Sequence, residues 1–237
     1  MPVLLAFDTA TDRLNIALAV DEQTFVHEAP GGALTSAALI PAIQSLLAEA
    51  GLEMAAIDAI GYGQGPGAFT GLRAACSVAQ GLAFGLGRPV LALDTLMAVA
   101  EDVRLAHGAE TVWVTMDARM DEIYAASYRR TSERWQVLEA PALYTLEALA
   151  QRWQQEPPQA VAGTAVAAFG DRLPSGMAQR WPEALPRARA LACLARAAWA
   201  DGALLDAAEA RPLYLRDKVA STTAERDAAR RGKEVAA

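Results

Sequence analysis

The residues best suited to chemistry form a glycine-rich stretch at residues 59–75, AIGYGQGPGAFTGLRAA. It lies between an apolar run and a predicted helix, where backbone N–H groups and the helix dipole can bind a phosphate. The stretch contains no lysine and so lacks the Gly-Lys-Ser/Thr of a Walker loop. It also lacks G-x-G-x-x-G, because the third glycine counted from Gly63 is replaced by Ala68. Two interpretations stay open, a tight strand-to-helix corner and a phosphate-binding loop.

Two aspartates that close apolar runs are the next candidates. VLLAFDTAT places Asp8 and Thr9 at a turn, and VWVTMD ends in Asp117. A carboxylate beside hydroxyls can bind a metal–phosphate group, or it can hydrogen-bond its own turn. The predicted vestigial phosphate loop consists of Asp8, Thr9, Gly65 and Gly67, and we expect no bound cofactor.

Histidine and cysteine give no signature of a metal site. The two histidines, His27 and His107, and the two cysteines, Cys76 and Cys193, have no partners at metal-ligand spacing. Neither H-E-x-x-H nor a G-x-S-x-G elbow is present. We therefore expect no metal, and the sequence gives little support to a nucleophile.

The composition is that of a globular protein that does not bind nucleic acid by itself. The 237 residues are 53% hydrophobic and carry a net charge of −7. An acidic surface repels phosphate backbones, so RNA or DNA is expected only through another protein. The N-terminal apolar run ends at Asp8, too early for a signal peptide, and no uncharged segment reaches membrane-spanning length. We expect a cytoplasmic protein.

The elements that must position these residues alternate between strand and helix, which favours a mixed α/β layer fold. Helices are predicted at residues 34–51, 70–87, 95–105, 146–154 and 188–200, and strands at 14–20, 57–63, 89–94 and 160–166.

A thin internal repeat is consistent with two halves of one topology. Asp8-x-x-x-Asp12 aligns without gaps on Asp117-x-x-x-Asp121, and a returning apolar run follows each second acid. The charged, alanine-rich C-terminal sequence has no core pattern. The predicted domains are residues 1–100 and 111–216, with a frayed tail at 217–237.

Five segments together resemble the TsaB (YeaZ) family, a bacterial family of threonylcarbamoyladenosine synthesis on tRNA. They are LLAFDTAT, GQGPGAFTGLR, AQGLAFGLGRPVLALDTL, MDARMDEIYAASY and PLYLR, and the resemblance extends to about Arg216. It implies an actin-like ASKHA fold with two lobes of the same topology. It also implies a role without catalytic residues.

The resemblance further implies partners. The related subunit TsaD transfers a threonylcarbamoyl group to the tRNA adenosine beside the anticodon, using a metal held by two histidines on a helix. The corresponding positions here are Thr95 and Val99, which cannot hold such a metal. The implied role is a scaffold that binds and activates TsaD together with the ATPase TsaE, and that meets tRNA only indirectly.

The implied contact with TsaD is a helical bundle, and a homodimer would compete for the same face. The helices at residues 34–51 and 70–87 are the candidates, because the second is apolar nearly all round. The predicted interface residues are Leu39, Ile43, Leu47, Leu72, Ala75, Cys76 and Ala79.

Two other functions of the same superfamily stay open. An ATP-dependent small-molecule kinase would depend on Asp8, Asp117 and the glycine-rich stretch to hold Mg-ATP. A peptidase is the second, although neither a metal motif nor a nucleophile elbow supports it.

Overall fold

The computed structural model describes residues 2–32 and 35–216, and the tail predicted at 217–237 lies outside the described residues. The first half of the chain contains β1 (Val3–Asp8), β2 (Arg13–Val20), β3 (Gln23–Pro30), α1 (Thr35–Glu49), β4 (Ala59–Gly65), α2 (Phe69–Leu86), β5 (Val90–Asp94) and α3 (Thr95–His107). The second half contains β6 (Thr111–Asp117), β7 (Glu122–Thr131), β8 (Arg134–Thr145), α4 (Leu146–Gln155), β9 (Ala160–Ala162), α5 (Thr164–Phe169), β10 (Gln179–Trp181) and α6 (Ala188–Ala200).

Each half forms one five-stranded sheet, and the two sheets share one topology. The strand orders are β3-β2-β1-β4-β5 and β8-β7-β6-β9-β10. In both sheets an antiparallel meander of three strands is extended by two parallel strands. Asp8 and Asp117 end the middle strands β1 and β6, so the predicted duplication of topology is confirmed.

The helices and sheets form five layers, and α3 and α6 make up the central one. Helices α1 and α2 cover one face of the first sheet, and α6 covers the other. Helix α3 covers one face of the second sheet, and α4 and α5 cover the other. Thus α3 and α6 each pack on the sheet formed by the other half, and they contact each other. The boundary predicted between residues 100 and 111 falls at this crossover and stays a prediction.

The apolar periodicity of α2 explains how it packs. Ala75, Ala79 and Ala83 recur at helical spacing and are buried against the first sheet, and Gly87 ends the helix with a φ of 62°. The helix predicted at residues 188–200 is confirmed as α6. Among the helices of the described residues, none combines the length and apolarity needed to cross a bilayer.

The strand predicted at residues 160–166 is wrong in its second part. β9 ends at Ala162, and α5 begins at Thr164. Gly163 lies between them with a φ of +103°, and a Cβ there would overlap the Thr115 carbonyl. Because β6 approaches so closely and φ is positive, only glycine fits at this position, and the chain changes from strand to helix there.

Candidate functional site

Asp8 is fully buried and is held by hydrogen-bond donors of its own chain. Its Oδ2 accepts a hydrogen bond from the Thr95 hydroxyl at 2.7 Å, and its Oδ1 accepts one from the Ala10 N–H at 2.7 Å. Burial raises the pKa of the Asp8 carboxyl, and these hydrogen bonds oppose the rise. The Thr95 oxygen also accepts from the Gly65 N–H at 3.2 Å. The carboxylate therefore connects β1 to the glycine-rich stretch and to the start of α3.

The glycines of this stretch are required because the turn after β1 lies directly against them. A Cβ on Gly63 would overlap the Asp8 carboxylate, and a Cβ on Gly71 would overlap the Thr9 carbonyl. The Thr9 hydroxyl donates to the Gly71 carbonyl at 2.7 Å. Close backbone packing thus accounts for the glycines, which supports the interpretation of the stretch as a tight corner.

A cleft of about 870 Å³ opens between the β1–β2 turn and the β6–β7 turn. Its wall includes Asp12, Gly67 and Asp117. Of the predicted phosphate-loop residues, Gly67 reaches this wall, whereas Asp8 and Thr9 are buried. The wall carries two carboxylates, Asp12 and Asp117, and two guanidinium groups, Arg119 and Arg216, and Arg119 pairs with Asp117. A vestigial phosphate loop at this place stays a prediction.

The two positions that the resemblance aligns with the TsaD histidines have no side-chain atom available as a metal ligand. Thr95 and Val99 are 0% and 3% exposed. The Thr95 hydroxyl already hydrogen-bonds to Asp8 and Gly65, and Val99 packs in the core of the second sheet. Among the described residues no group of three metal-ligating side chains occurs. These residues do not fit a metal centre at α3.

All seven side chains predicted at a partner interface lie in the chain's own interior. Leu39, Ile43, Leu47, Leu72, Ala75, Cys76 and Ala79 are at most 5% exposed. Six of them belong to the cluster between α1, α2 and the first sheet, and Leu72 lines the cleft. A partner contact on α1 and α2 stays a prediction, and it must use other side chains.

The outer face of α1 and α2 is the surface that remains for a partner. It is defined by Ala37, Pro41, Gln44 and Ala48 of α1 and by Thr70, Arg73, Ser77, Gly81 and Phe84 of α2, all of them exposed. Phe84 is 86% exposed, and Arg73 is the one charged member of this set. Small side chains allow close helix–helix approach, and interface cores are depleted of charge. The outer face is therefore a nearly uncharged surface of small side chains with one exposed aromatic ring.

Phe84 and Thr95 are not among the site residues predicted from the sequence. The exposure of Phe84 could have been predicted from helical spacing, because residue 84 lies on the opposite side of α2 from the buried Leu72 and Ala79. No local signal exists for Thr95, because its partner Asp8 is 87 residues away in the sequence.

A second carboxylate, that of the partly buried Asp94, connects the two sheets. Its Oδ1 accepts from the N–H groups of Leu96 and Met97 at 2.8 and 3.2 Å, which caps α3. Its Oδ2 accepts from the Tyr128 hydroxyl of β7 at 2.6 Å. Burial raises the pKa of Asp94 to about 6, although these hydrogen bonds lower it.

Comparison with known proteins defines the class of this fold. Residues 16–223 match the family model TsaD, described as tRNA N6-adenosine threonylcarbamoyltransferase. A solved structure from Pseudomonas aeruginosa, described as an uncharacterized protein with similarity to peptidase YeaZ, matches with a TM-score of 0.85 and 38% identity. That match covers 91% of this chain and 100% of the other. The chain has the actin-like α/β fold of the TsaD-type proteins.

Curated relatives then define the particular family. The chain is 35% identical over 221 residues to a protein of Escherichia coli (strain K12), covering 92% of this chain and 96% of the relative. It is 32% identical over 225 residues to a protein of Haemophilus influenzae, covering 91% and 94%. Both relatives are named tRNA threonylcarbamoyladenosine biosynthesis protein TsaB. The chain belongs to the TsaB (YeaZ) family.

Replacing Thr95→Val tests the connection through Asp8. The valine keeps the volume but leaves a buried carboxylate short of a donor, so we expect a loss of unfolding free energy of about 1–3 kcal/mol. Thr115→Val is the matched control, because Thr115 is equally buried but donates only to the Ala162 carbonyl. Urea denaturation measures both variants, and equal losses would contradict a special role for Thr95.

The raised pKa of Asp94 predicts a pH dependence of stability. A carboxyl whose pKa is higher in the folded state stabilises the fold when protonated, so stability increases as the pH falls through about 6. Between pH 7 and pH 5 we expect the wild-type chain to gain about 1 kcal/mol relative to Asp94→Asn. Urea denaturation at both pH values gives this difference, and parallel changes in the two proteins would exclude the assignment to Asp94.

Proposed function

We propose that this chain is a non-catalytic, cytoplasmic subunit that binds and activates a TsaD-type threonylcarbamoyltransferase together with the ATPase TsaE. The observation that carries the proposal is the outer face of α1 and α2, with Phe84 exposed among small residues. Membership of the TsaB family supports the link to tRNA threonylcarbamoyladenosine biosynthesis, since that is how the curated relatives are named.

The interior of the chain supports a role without catalysis. Asp8 is the carboxylate that ends the central strand of the first sheet, and its oxygens are bound to Thr95 and Ala10. Because it has no exposed surface, it has no means of contacting Mg-ATP in this conformation. This disfavours the kinase alternative. The lack of available metal ligands at Thr95 and Val99 disfavours a metal-dependent transferase or peptidase.

The outer face supports a helical partner. Its alanine, serine and glycine side chains are small, and a Cβ on Gly81 would meet no atom within 4 Å. A partner helix laid on this face would find in Phe84, in the last turn of α2, its one large apolar side chain. A standard interface buries about 800 Å² on each partner, which two helices of this length can provide. A second copy of the chain would use the same surface, so homodimer and heterodimer should compete.

The acidic charge supports an indirect contact with tRNA. At a net charge of −7 the chain offers little attraction for a phosphate backbone. Recognition of the anticodon loop is therefore assigned to the partner subunits, and the contribution of this chain is to stabilise the active assembly.

Replacing Phe84→Glu tests the docking surface. A glutamate buried in the interface in place of the aromatic ring should weaken binding to the cognate TsaD by at least about tenfold, and the exposed position should leave the fold intact. Leu105→Glu is the matched control, because Leu105 is 46% exposed at the end of α3 and lies away from the outer face.

Isothermal titration calorimetry with purified TsaD measures both affinities, and circular dichroism checks the fold. Equal affinities for Phe84→Glu and Leu105→Glu would refute docking through the outer face. Leu72→Glu and Ile43→Glu are unsuitable for this purpose, because both side chains are buried and a glutamate would disrupt the core first.

A further inference from the structure

Residues 210–216, named the strap here, follow the last 3-10 turn and are fixed at their start to the first sheet. The Tyr62 hydroxyl donates to the Arg211 carbonyl at 3.2 Å and accepts from the Arg211 N–H at 3.0 Å. The Leu213 N–H donates to the Gln64 carbonyl at 2.7 Å. Because Tyr62 and Gln64 belong to β4, the strap begins as an attachment to the first half.

The end of the strap is fixed to the second half by Arg216. Its Nη2 donates to the Ala118 carbonyl at 3.0 Å and to the Arg119 carbonyl at 3.2 Å, and it forms an ion pair with Glu122. Leu215 packs against the core cluster of the second sheet. The strap therefore crosses from one half to the other along the wall of the cleft.

The turn that Arg216 holds has an unfavourable backbone conformation. Arg119, Met120 and Asp121 are consecutive residues with φ values of 64°, 55° and 63°. L-residues avoid this region because Cβ approaches a carbonyl oxygen, so three in succession need support from outside the turn. Arg216 contributes to that support through the Ala118 and Arg119 carbonyls. The Asp117 carboxylate, which accepts from the Arg119 N–H, and Arg172, which pairs with Asp121, provide the rest from within the second half.

We propose that the strap is a clasp that fixes the width of the cleft, while the buried layer of α3 and α6 acts as the hinge. Opening the cleft would break the attachment of Arg216 to the β6–β7 turn or that of Arg211 to β4. The clasp also reaches the outer face, because Arg73 Nε donates to the Tyr214 hydroxyl at 3.0 Å. The width of the cleft thus sets how the outer face is oriented relative to the second half. The clasp is a property of the free chain and stands without any partner.

Distances between spin labels on the two halves test this proposal in the full chain. The labelling sites are Glu53→Cys in the first half and Gln151→Cys on α4, both exposed. The native Cys76 and Cys193 are changed to alanine, and labelled chain is diluted with unlabelled chain so that only distances within one molecule are measured. Double electron–electron resonance then gives the distribution of separations between the halves.

We expect Arg216→Ala, which releases the end of the strap, and Tyr62→Phe, which removes two of the three hydrogen bonds that fix its start, each to broaden or lengthen this distribution. Arg172→Ala is the control, because Arg172 pairs with Asp121 of the same turn but both residues lie in the second half, so the distribution should not change. An unchanged distribution in Arg216→Ala would overturn the proposal. If Arg216→Ala fails to fold, Tyr62→Phe decides, and an unchanged distribution there overturns it equally. Neither outcome depends on whether TsaD binds.

Discussion

A carboxylate without exposed surface must be given hydrogen-bond donors by its own protein, and the arrangement around Asp8 follows from this constraint. Thr95 and the Ala10 N–H provide the donors, so the first turn of α3 and the turn after β1 have to meet at this point. Gly63 of β4 lies so close to the Asp8 carboxylate that a side chain there would overlap it. A strand end that could otherwise face a ligand is therefore directed inward and used to hold the first half together.

The two halves share one topology, but different parts of the chain pack against their equivalent turns. In the first half the β1–β2 turn lies against the glycine-rich stretch, and the Ala68 N–H donates to the Ala10 carbonyl at 2.8 Å. In the second half the corresponding turn is held by Arg216 from the strap. Between the sheets, α3 and α6 are exchanged, which makes the halves inseparable without exposing a large apolar surface. The outer face of α1 and α2 stays exposed in this arrangement, and it is the surface that we propose for a partner.

Much of the fold could be predicted from local patterns, whereas the site could not. The periodicity of residues 188–200 and 70–87 gave α6 and α2, and the repeat through Asp8 and Asp117 gave the duplicated sheets. Periodicity finds an apolar stripe but does not say what covers it. The stripe through Cys76 and Ala79 is therefore predicted to meet a partner, whereas in the structure these side chains pack within the cluster against the first sheet. The link between Asp8 and Thr95 and the attachments of Arg216 join residues far apart in the sequence, and no window of sequence contains both partners. Family resemblance supplied the function, which composition and spacing left open.

The central claim is that this chain has kept the framework of a nucleotide-handling fold and uses it to dock a partner without chemistry of its own. The most direct test is a calorimetric titration of the purified chain with Mg-ATP and, separately, with its cognate TsaD. We predict heat of binding with TsaD and none with Mg-ATP in the absence of TsaD. Saturable binding of Mg-ATP to the isolated chain, with no response to TsaD, would contradict the claim.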